Sequence, residues 1–239
     1  MNIAKYSTFR LFIWFLFVGG FLWRGGFVAM QDQVIEFYQQ ETQSFYETLQ
    51  DNSLQKYLWN GQSLIDPNYV PSDLAPIDSD FTANNARKFL MREEAAKNFA
   101  DLAWYFWKVH NWDKLVITST YRSAKFQESL LKKWCSRAKC AEVWSSEHQL
   151  GLAIDLGVLT KKWKYIALAK WNTYYQWLMK NAADWWFHNT YQKWIDIDGQ
   201  MEEAWHWRYV WSDLAKDLRD NNQSFGEWYA FQQTTNTHF

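Results

Sequence analysis

Apolar positions follow three different rhythms along this chain. The first is an unbroken run, "LFIWFLFVGGFLW" from Leu11 to Trp23, with no polar face. Lys5 and Arg10 precede it, which is the charge and apolar order of an export signal. With Arg24 at the interface the apolar stretch reaches Met30, long enough to cross a bilayer. Positive residues stay cytoplasmic, so the remainder of the chain is expected on the extracytoplasmic face of the membrane. No small-x-small cleavage site follows, so residues 1–30 read as an uncleaved anchor, with a cleaved signal peptide as the alternative.

The second rhythm is helical. Val34, Phe37, Tyr38, Phe45 and Leu49 recur among Gln and Glu and predict an amphipathic stalk, and with the linker after it this region covers 31–65. All three prolines then fall within "NGQSLIDPNYVPSDLAPIDSD", an irregular connection in which the main domain, 66–220, begins. Helical spacing of Phe89, Ala96, Phe99, Ala103 and Phe106 predicts a long helix from Asn84 to Trp107. Ser123 opens a second helix with Phe126, Leu130 and Trp134 on one face, and "ALAKWNTYYQWLMKNAADWW" reads as a third. Residues 221–239 are left as a C-terminal tail.

The third rhythm has period two. "KLVITS" is a short buried strand. "GLAIDL" sets Leu152, Ile154 and Leu156 against a face of Gly151, Ala153 and Asp155. "WHWRYV" separates Trp205, Trp207 and Tyr209 from His206, Arg208 and Val210. Helices mixed with a few short strands predict an α+β domain: a small antiparallel sheet flanked by helices.

Composition narrows this picture. A chain of 239 residues, 48% apolar and 21% charged, can bury one sizeable core. Its 25 basic and 26 acidic residues leave a net charge of -1, so no global positive field would hold nucleic acid, and none is expected as a partner. The 18 Trp, 13 Tyr and 17 Phe are read mainly as core filling. Cys135 and Cys140 suit a local disulfide in an oxidising compartment.

Candidate chemistry centres on the bare face of "GLAIDL". A zinc hydrolase needs three N or O ligands, a position for water, and a base to take that water's proton. Asp155 projects from a face of small residues that leaves room for metal and substrate, and His148 lies just before it. His148, Asp155 and His206 would be the ligands for Zn2+, and Glu203 would be the base.

These residues sit in motifs that resemble a known family. "SSEHQLGLAIDL" is similar to the S-x-H-x-x-G-x-A-x-D signature of VanY-type D-alanyl-D-alanine carboxypeptidases, with Ser146, His148, Gly151, Ala153 and Asp155 in place. "EEAWHWRYV" resembles the family's E-P-W-H-[FW]-R-Y-V segment, and "STYRSAKFQESL" its S-G-Y-R-S…Q-x-x-L segment. The resemblance runs from about Tyr69 to about Leu218. It implies a zinc peptidase acting on peptidoglycan stem peptides, outside the cytoplasmic membrane of a bacterium, in the periplasm. It further implies zinc on His148, Asp155 and His206, Glu203 as general base, and Arg122 facing the polarised carbonyl. Ser146 and Gln127 are weaker candidates for binding the peptide or its carboxylate; a turn-forming Ser and an exposed helix Gln are their alternative readings.

Thr120, Ala204 and Trp211 depart from the family pattern at Gly, Pro and Gly positions, which leaves the cleaved bond open among D,D- and L,D-carboxypeptidase, dipeptidase and endopeptidase activities. A non-catalytic cell-wall module held at the membrane is the alternative of another class. In a regular strand Glu203 and His206 would point to opposite faces, so a bend is required between them. His110, His188 and His238 match no role, and His188 is expected to be a wall residue.

Overall fold

The computed structural model describes residues 69–235, apart from 84–87, 134, 136–139, 144, 194 and 211. The anchor and stalk therefore lie outside the described residues. Among those described, no helix is long and apolar enough to cross a membrane.

Strands β1 (Leu74–Pro76) and β2 (Leu90–Arg92) form an antiparallel ribbon. Helix α1 (Glu93–Val109) follows directly. Its buried stripe of Ala95, Ala96, Phe99, Leu102, Ala103 and Phe106 has the three-and-four spacing of an amphipathic helix. Glu93 and Glu94 in the first turn and Lys108 in the last complement the helix dipole. The helix expected from Asn84 therefore starts later. Phe89 lies before it, and Leu90–Arg92 are extended because their backbone is claimed elsewhere: Leu90 N–H donates to Thr120 Oγ1, Leu90 C=O accepts from Tyr121, and Arg92 N–H donates to Gly151 C=O.

Next come β3 (Lys114–Ser119), α2 (Ala124–Lys133), a 3-10 turn (Glu147–Leu150), β4 (Ala153–Leu159) and β5 (Tyr165–Ala167). Helix α3 (Thr173–Asn181), a second 3-10 turn (Ala182–Trp185), β6 (Phe187–His188) and the short α4 (Ile195–Asp198) follow. Strand β7 (His206–Tyr209), α5 (Ser212–Asp220) and α6 (Phe225–Thr235) close the domain. The main sheet has the order β3-β4-β7-β6, entirely antiparallel, with β5 pairing the outer half of β4. This is the expected α+β architecture.

Three local expectations need correction. The long helix read over 167–186 begins only at Thr173, where the Asn172 side chain caps Tyr175 N–H, and it gives way to the 3-10 turn at Ala182. Of the face expected on α2, Phe126 is exposed, Leu130 is half-buried and Trp134 lies outside the described residues, whereas Ala124 and Gln127 are buried because the Gln127 amide finds partners inside. The segment taken as a tail carries α6, and Phe225 packs with Ala183, Val210, Ala215 and Leu218. Cys135 and Cys140 are bridged, with Cα atoms 5.9 Å apart.

The main core joins the α1 stripe to one face of the sheet. Leu152, Ile154, Leu156 and Val158 of the β4 segment enter it with Trp207 and Tyr209 of β7. Ala153, Asp155 and Gly157 take the opposite face of β4 by strand alternation.

Candidate active site

Asp155 stands at the middle of the sheet, opposite His206 on β7 and opposite Ser119 on β3. The β3 register shifts between Ile117 and Ser119, and such an irregularity re-aims the chain beyond it. That chain carries Thr120 to His148 and Arg122 to Asp155. The first signature folds as a 3-10 turn ended by Gly151 at φ 70°, a left-handed conformation in which glycine avoids the Cβ penalty. The His148 carbonyl accepts from both Arg122 N–H (3.1 Å) and Gly151 N–H (3.2 Å), so the turn is held on two sides.

His148, Asp155 and His206 converge, each offering one ligand atom, and these atoms lie within 4.8 Å of one another. His148 Nε2 is 3.3 Å from Asp155 Oδ1, and His206 Nδ1 is 3.1 Å from the same oxygen. Tetrahedral zinc with bonds of about 2.0–2.2 Å has ligand edges of roughly 3.3 Å, so the two separations fit it. The outward ring nitrogens are already engaged. His148 Nδ1 lies 2.7 Å from Thr120 C=O and His206 Nε2 lies 2.8 Å from Glu147 Oε2, so each donates outward and turns its other nitrogen inward. His148 Nε2 is buried without a hydrogen-bond partner. An inward lone pair left in this way fits a metal ligand, so the donor set suits zinc.

The electrostatics follow from burial and pairing. Burial lowers the His148 pKa to about 4, and Arg122 adds to the effect, which keeps the ring neutral. Burial opposes the charged form of Asp155, but the protonated His206 outweighs it and holds the carboxylate well below its ordinary range. Burial also works against a charged His206, yet its bonds to Asp155 and Glu147 lift it to about 10. A metal ion held here would take the place of the His206 Nδ1 proton. Glu147, fully buried, is drawn down to about 2 by Arg208 and His206 against the cost of burial.

Glu203 is not on the strand. Its carbonyl accepts from His206 N–H (3.1 Å), which forms a turn just before β7, and its own N–H donates to Tyr191 C=O (2.8 Å). Asn189 Nδ2 bonds the carbonyls of both Glu203 and His206. This turn supplies the required bend and leaves Glu203 Oε2 3.9 Å from His206 Nδ1. Burial raises the Glu203 pKa to about 7, with His206 and Arg122 acting against the rise and Asp155 adding to it.

Arg122 places one guanidinium nitrogen 3.7 Å from Asp155 Oδ2 and another 3.2 Å from Gln127 Oε1, while its Nε is buried without a partner. Gln127 Nε2 donates to Ala141 C=O at 2.8 Å. Gln127 is thus buried beside Arg122 and is not an exposed helix residue. Ser146 is buried too and lines the same small cleft as Arg122, Gln127, Tyr191 and Glu203.

Every candidate residue of the sequence therefore reaches one place, and two residues that the pattern did not single out join them. Glu147 lay in view, directly before His148, but only folding shows its carboxylate reaching His206 and Arg208. Tyr191, whose ring stacks on His206 at 4.8 Å, had no sequence signal. His188 is buried on β6, with Gln192 Nε2 3.2 Å from its Nε2, and does not join the ligand cluster.

Comparison with known proteins agrees with this arrangement. The family model described as VanY, D-alanyl-D-alanine carboxypeptidase, matches residues 88–212. YodJ of Bacillus subtilis (strain 168), a protein named as a carboxypeptidase, is 31% identical over 195 residues, covering 77% of this chain and 70% of its own. Among solved structures, the LdcB LD-carboxypeptidase is 28% identical with a TM-score of 0.61, covering 72% of this chain and 83% of its own. The D,D-dipeptidase VanXYg, bound to a D-Ala-D-Ala phosphinate analogue, is 27% identical with a TM-score of 0.57, over 74% and 70% of the two chains. A VanY D,D-pentapeptidase mutant in complex with Zn(II) shares the fold at 22% identity and a TM-score of 0.57, over 74% and 99%.

Proposed function

The chain belongs to the VanY family of D-alanyl-D-alanine carboxypeptidases, and from that membership we propose that it is a zinc-dependent enzyme hydrolysing the D-Ala-D-Ala bond of peptidoglycan stem peptides. One observation carries the reading: the three-ligand cluster, the Glu203 carboxylate and the Arg122 guanidinium share one cleft. A structural metal site has no use for a nearby base or for a cation aimed at the cleft.

His148, Asp155 and His206 would hold zinc, which supplies a water of lowered pKa and a Lewis acid for the scissile carbonyl. Glu203 takes the proton of the attacking water and returns it to the leaving amine. Burial makes Glu203 a stronger base than an ordinary carboxylate, which suits the first of these duties. Arg122 offers a fixed positive charge and directed N–H donors to the carbonyl oxygen as it gains charge. Gln127 holds Arg122 in place, and Ser146 stands where the peptide end would lie.

A second reading, L,D-carboxypeptidase, is favoured by the likeness to LdcB. Muropeptides with defined ends separate the two. A D,D-enzyme removes one D-alanine from peptides ending in D-Ala-D-Ala and spares those ending in a single D-alanine, as mass spectrometry would show, whereas an L,D-enzyme does the reverse. Glu203→Gln preserves shape but cannot accept the proton, so turnover should fall on the order of 10²- to 10⁴-fold while zinc stays bound. A Gln variant that cleaves at the wild-type rate removes Glu203 from the mechanism. If the wild type binds muropeptides and cleaves none, the non-catalytic module is the right reading.

An extracytoplasmic, membrane-held position belongs to the same proposal. It is supported by the charge order of residues 1–30 and by the Cys135–Cys140 bridge, which suits an oxidising compartment. Protease shaving of cells with an intact inner membrane should remove the domain.

A further inference from the structure

At the end of the sheet beyond Asp155, the β4–β5 connection forms a tight tip. Thr160 N–H donates to Lys164 C=O (3.0 Å), Lys164 N–H to Thr160 Oγ1 (3.2 Å), and Trp163 N–H to Thr160 C=O (2.8 Å). The tip is tied to the loop after α1, since Lys161 N–H donates to Asp113 Oδ1 at 2.8 Å while Tyr174 O–H engages the other Asp113 oxygen at 2.6 Å. This places two tryptophans at one end of the molecule. Trp163 is 84% exposed and Trp112 is 65% exposed. Both have left-handed backbones, φ 62° and φ 81°, where an L residue with a large side chain is disfavoured and Gly or Asn is the ordinary choice. The Trp163 ring has no aromatic partner among the described residues, and the Trp112 ring leans on Trp107 at 5.2 Å while keeping most of its surface in solvent.

Around them three lysines face one acid, Asp113. Lys161, Lys162 and Lys164 are exposed, and no carboxylate among the described residues engages their side chains. The one acid between the loops, Asp113, is already held by backbone and tyrosine. On a chain of net charge -1, this is a small cationic and aromatic spot. Indoles settle at the headgroup level of a bilayer, and lysines beside them reach anionic headgroups.

We propose that the tip formed by Lys161, Lys162, Trp163 and Lys164, together with Trp112, docks on the surface of a bilayer rich in anionic lipids. The partner is a lipid interface because rigid, exposed indoles flanked by unpaired cations suit a boundary that is apolar on one side and negatively charged on the other. Four strand residues, roughly 13 Å, separate Leu159 at the tip from Asp155. Docking would hold the metal-facing cleft just above the membrane. The contact is separate from the apolar run at residues 1–30 and from the hydrolysis proposed above.

The test uses the full chain. Both cysteines are in the disulfide, so Trp163→Cys offers one thiol for an environment-sensitive fluorophore. The fluorophore should shift to the blue, and be quenched by spin-labelled lipid, with vesicles of phosphatidylcholine and phosphatidylglycerol. Phosphatidylcholine alone should give neither effect. Neutralising the tip in the same labelled chain, by Lys161→Gln, Lys162→Gln and Lys164→Gln, should lower the ratio of docked to undocked label roughly a hundredfold, at about fivefold per lysine. High salt should weaken it as well. A label that stays in water on anionic vesicles overturns the proposal, as does an equal response on neutral vesicles or in the lysine-free tip. A response to isolated cell-wall sacculi but not to vesicles would assign the spot to a wall polymer and overturn the lipid reading.

Discussion

Glu147 joins two cationic partners. Its carboxylate takes His206 Nε2 on one oxygen and the fully buried Arg208 on the other. Glu147→Gln keeps the shape and removes the negative charge from beside the buried guanidinium, and it leaves the His206 ring less firmly oriented. Breaking a buried pair in this way costs about 3–5 kcal/mol of stability, read by denaturant unfolding. Loss of the outer partner of a metal-ligating His should weaken zinc binding about 10- to 100-fold, measured by competition with a chelator. Destabilisation with unchanged zinc affinity would mean that Glu147 serves the core alone. Adjacency in "SSEH" made Glu147 visible in the sequence, but a buried role could not be read from it, because Glu147 and its partners are about 60 positions apart.

Among the elements, the 3-10 turn that presents His148 depends on its last residue. A Cβ on Gly151 would sit 2.8 Å from Leu74 Cδ2 and 3.3 Å from Arg92 Cγ, at a φ of 70° that L residues rarely adopt. Gly151→Ala should therefore cost about 1–2 kcal/mol from backbone conformation, before the contact with Leu74 is counted. Gly151 N–H also bonds the His148 carbonyl, so the variant should lose zinc affinity as well as stability, seen by chelator competition and by calorimetry. Full affinity in a destabilised Gly151→Ala would separate the turn from the site. The strands around this turn alternated as their sequences required, but their ends did not follow from pattern. Strand β7 starts at His206 because Glu203 folds back in a turn, and α1 starts at Glu93 because β1 and Gly151 claim the preceding backbone.

For the molecule as a whole, pH stability should carry the mark of His188. Burial is the main cause that lowers its pKa to about 4, with Arg208 and Lys193 adding to the effect and Glu147 opposing it. The folded pKa lies below the unfolded value near 6.5, so the unfolded chain takes up the proton first as pH falls. The neutral ring's contribution is present above about pH 6.5 and is lost as pH falls toward 4, by roughly 3 kcal/mol. Unfolding with chelator present, which removes metal release from the comparison, should show a shallower decline for His188→Gln than for wild type across that window. Parallel curves would show that His188 titrates alike in both states.

Sequence alone was sufficient for the class of the domain, and it named candidate residues that the fold brings into one cleft. Period two and period 3.6 mark faces that must be buried whatever their partner, and a ligand set with a base is a matter of residue type and order. Residue type and order brought out His148, Asp155, His206 and Glu203, and the family resemblance added Arg122. Tertiary structure decided what depends on distant neighbours. It buried Gln127 and exposed Phe126, because the amide found Arg122 and Ala141. It stacked Tyr191 on His206, set Glu147 between His206 and Arg208, and tied the lysine-rich tip to Asp113. Local pattern records a residue's preference for water or core, whereas these contacts arise only when segments far apart in the chain are packed together.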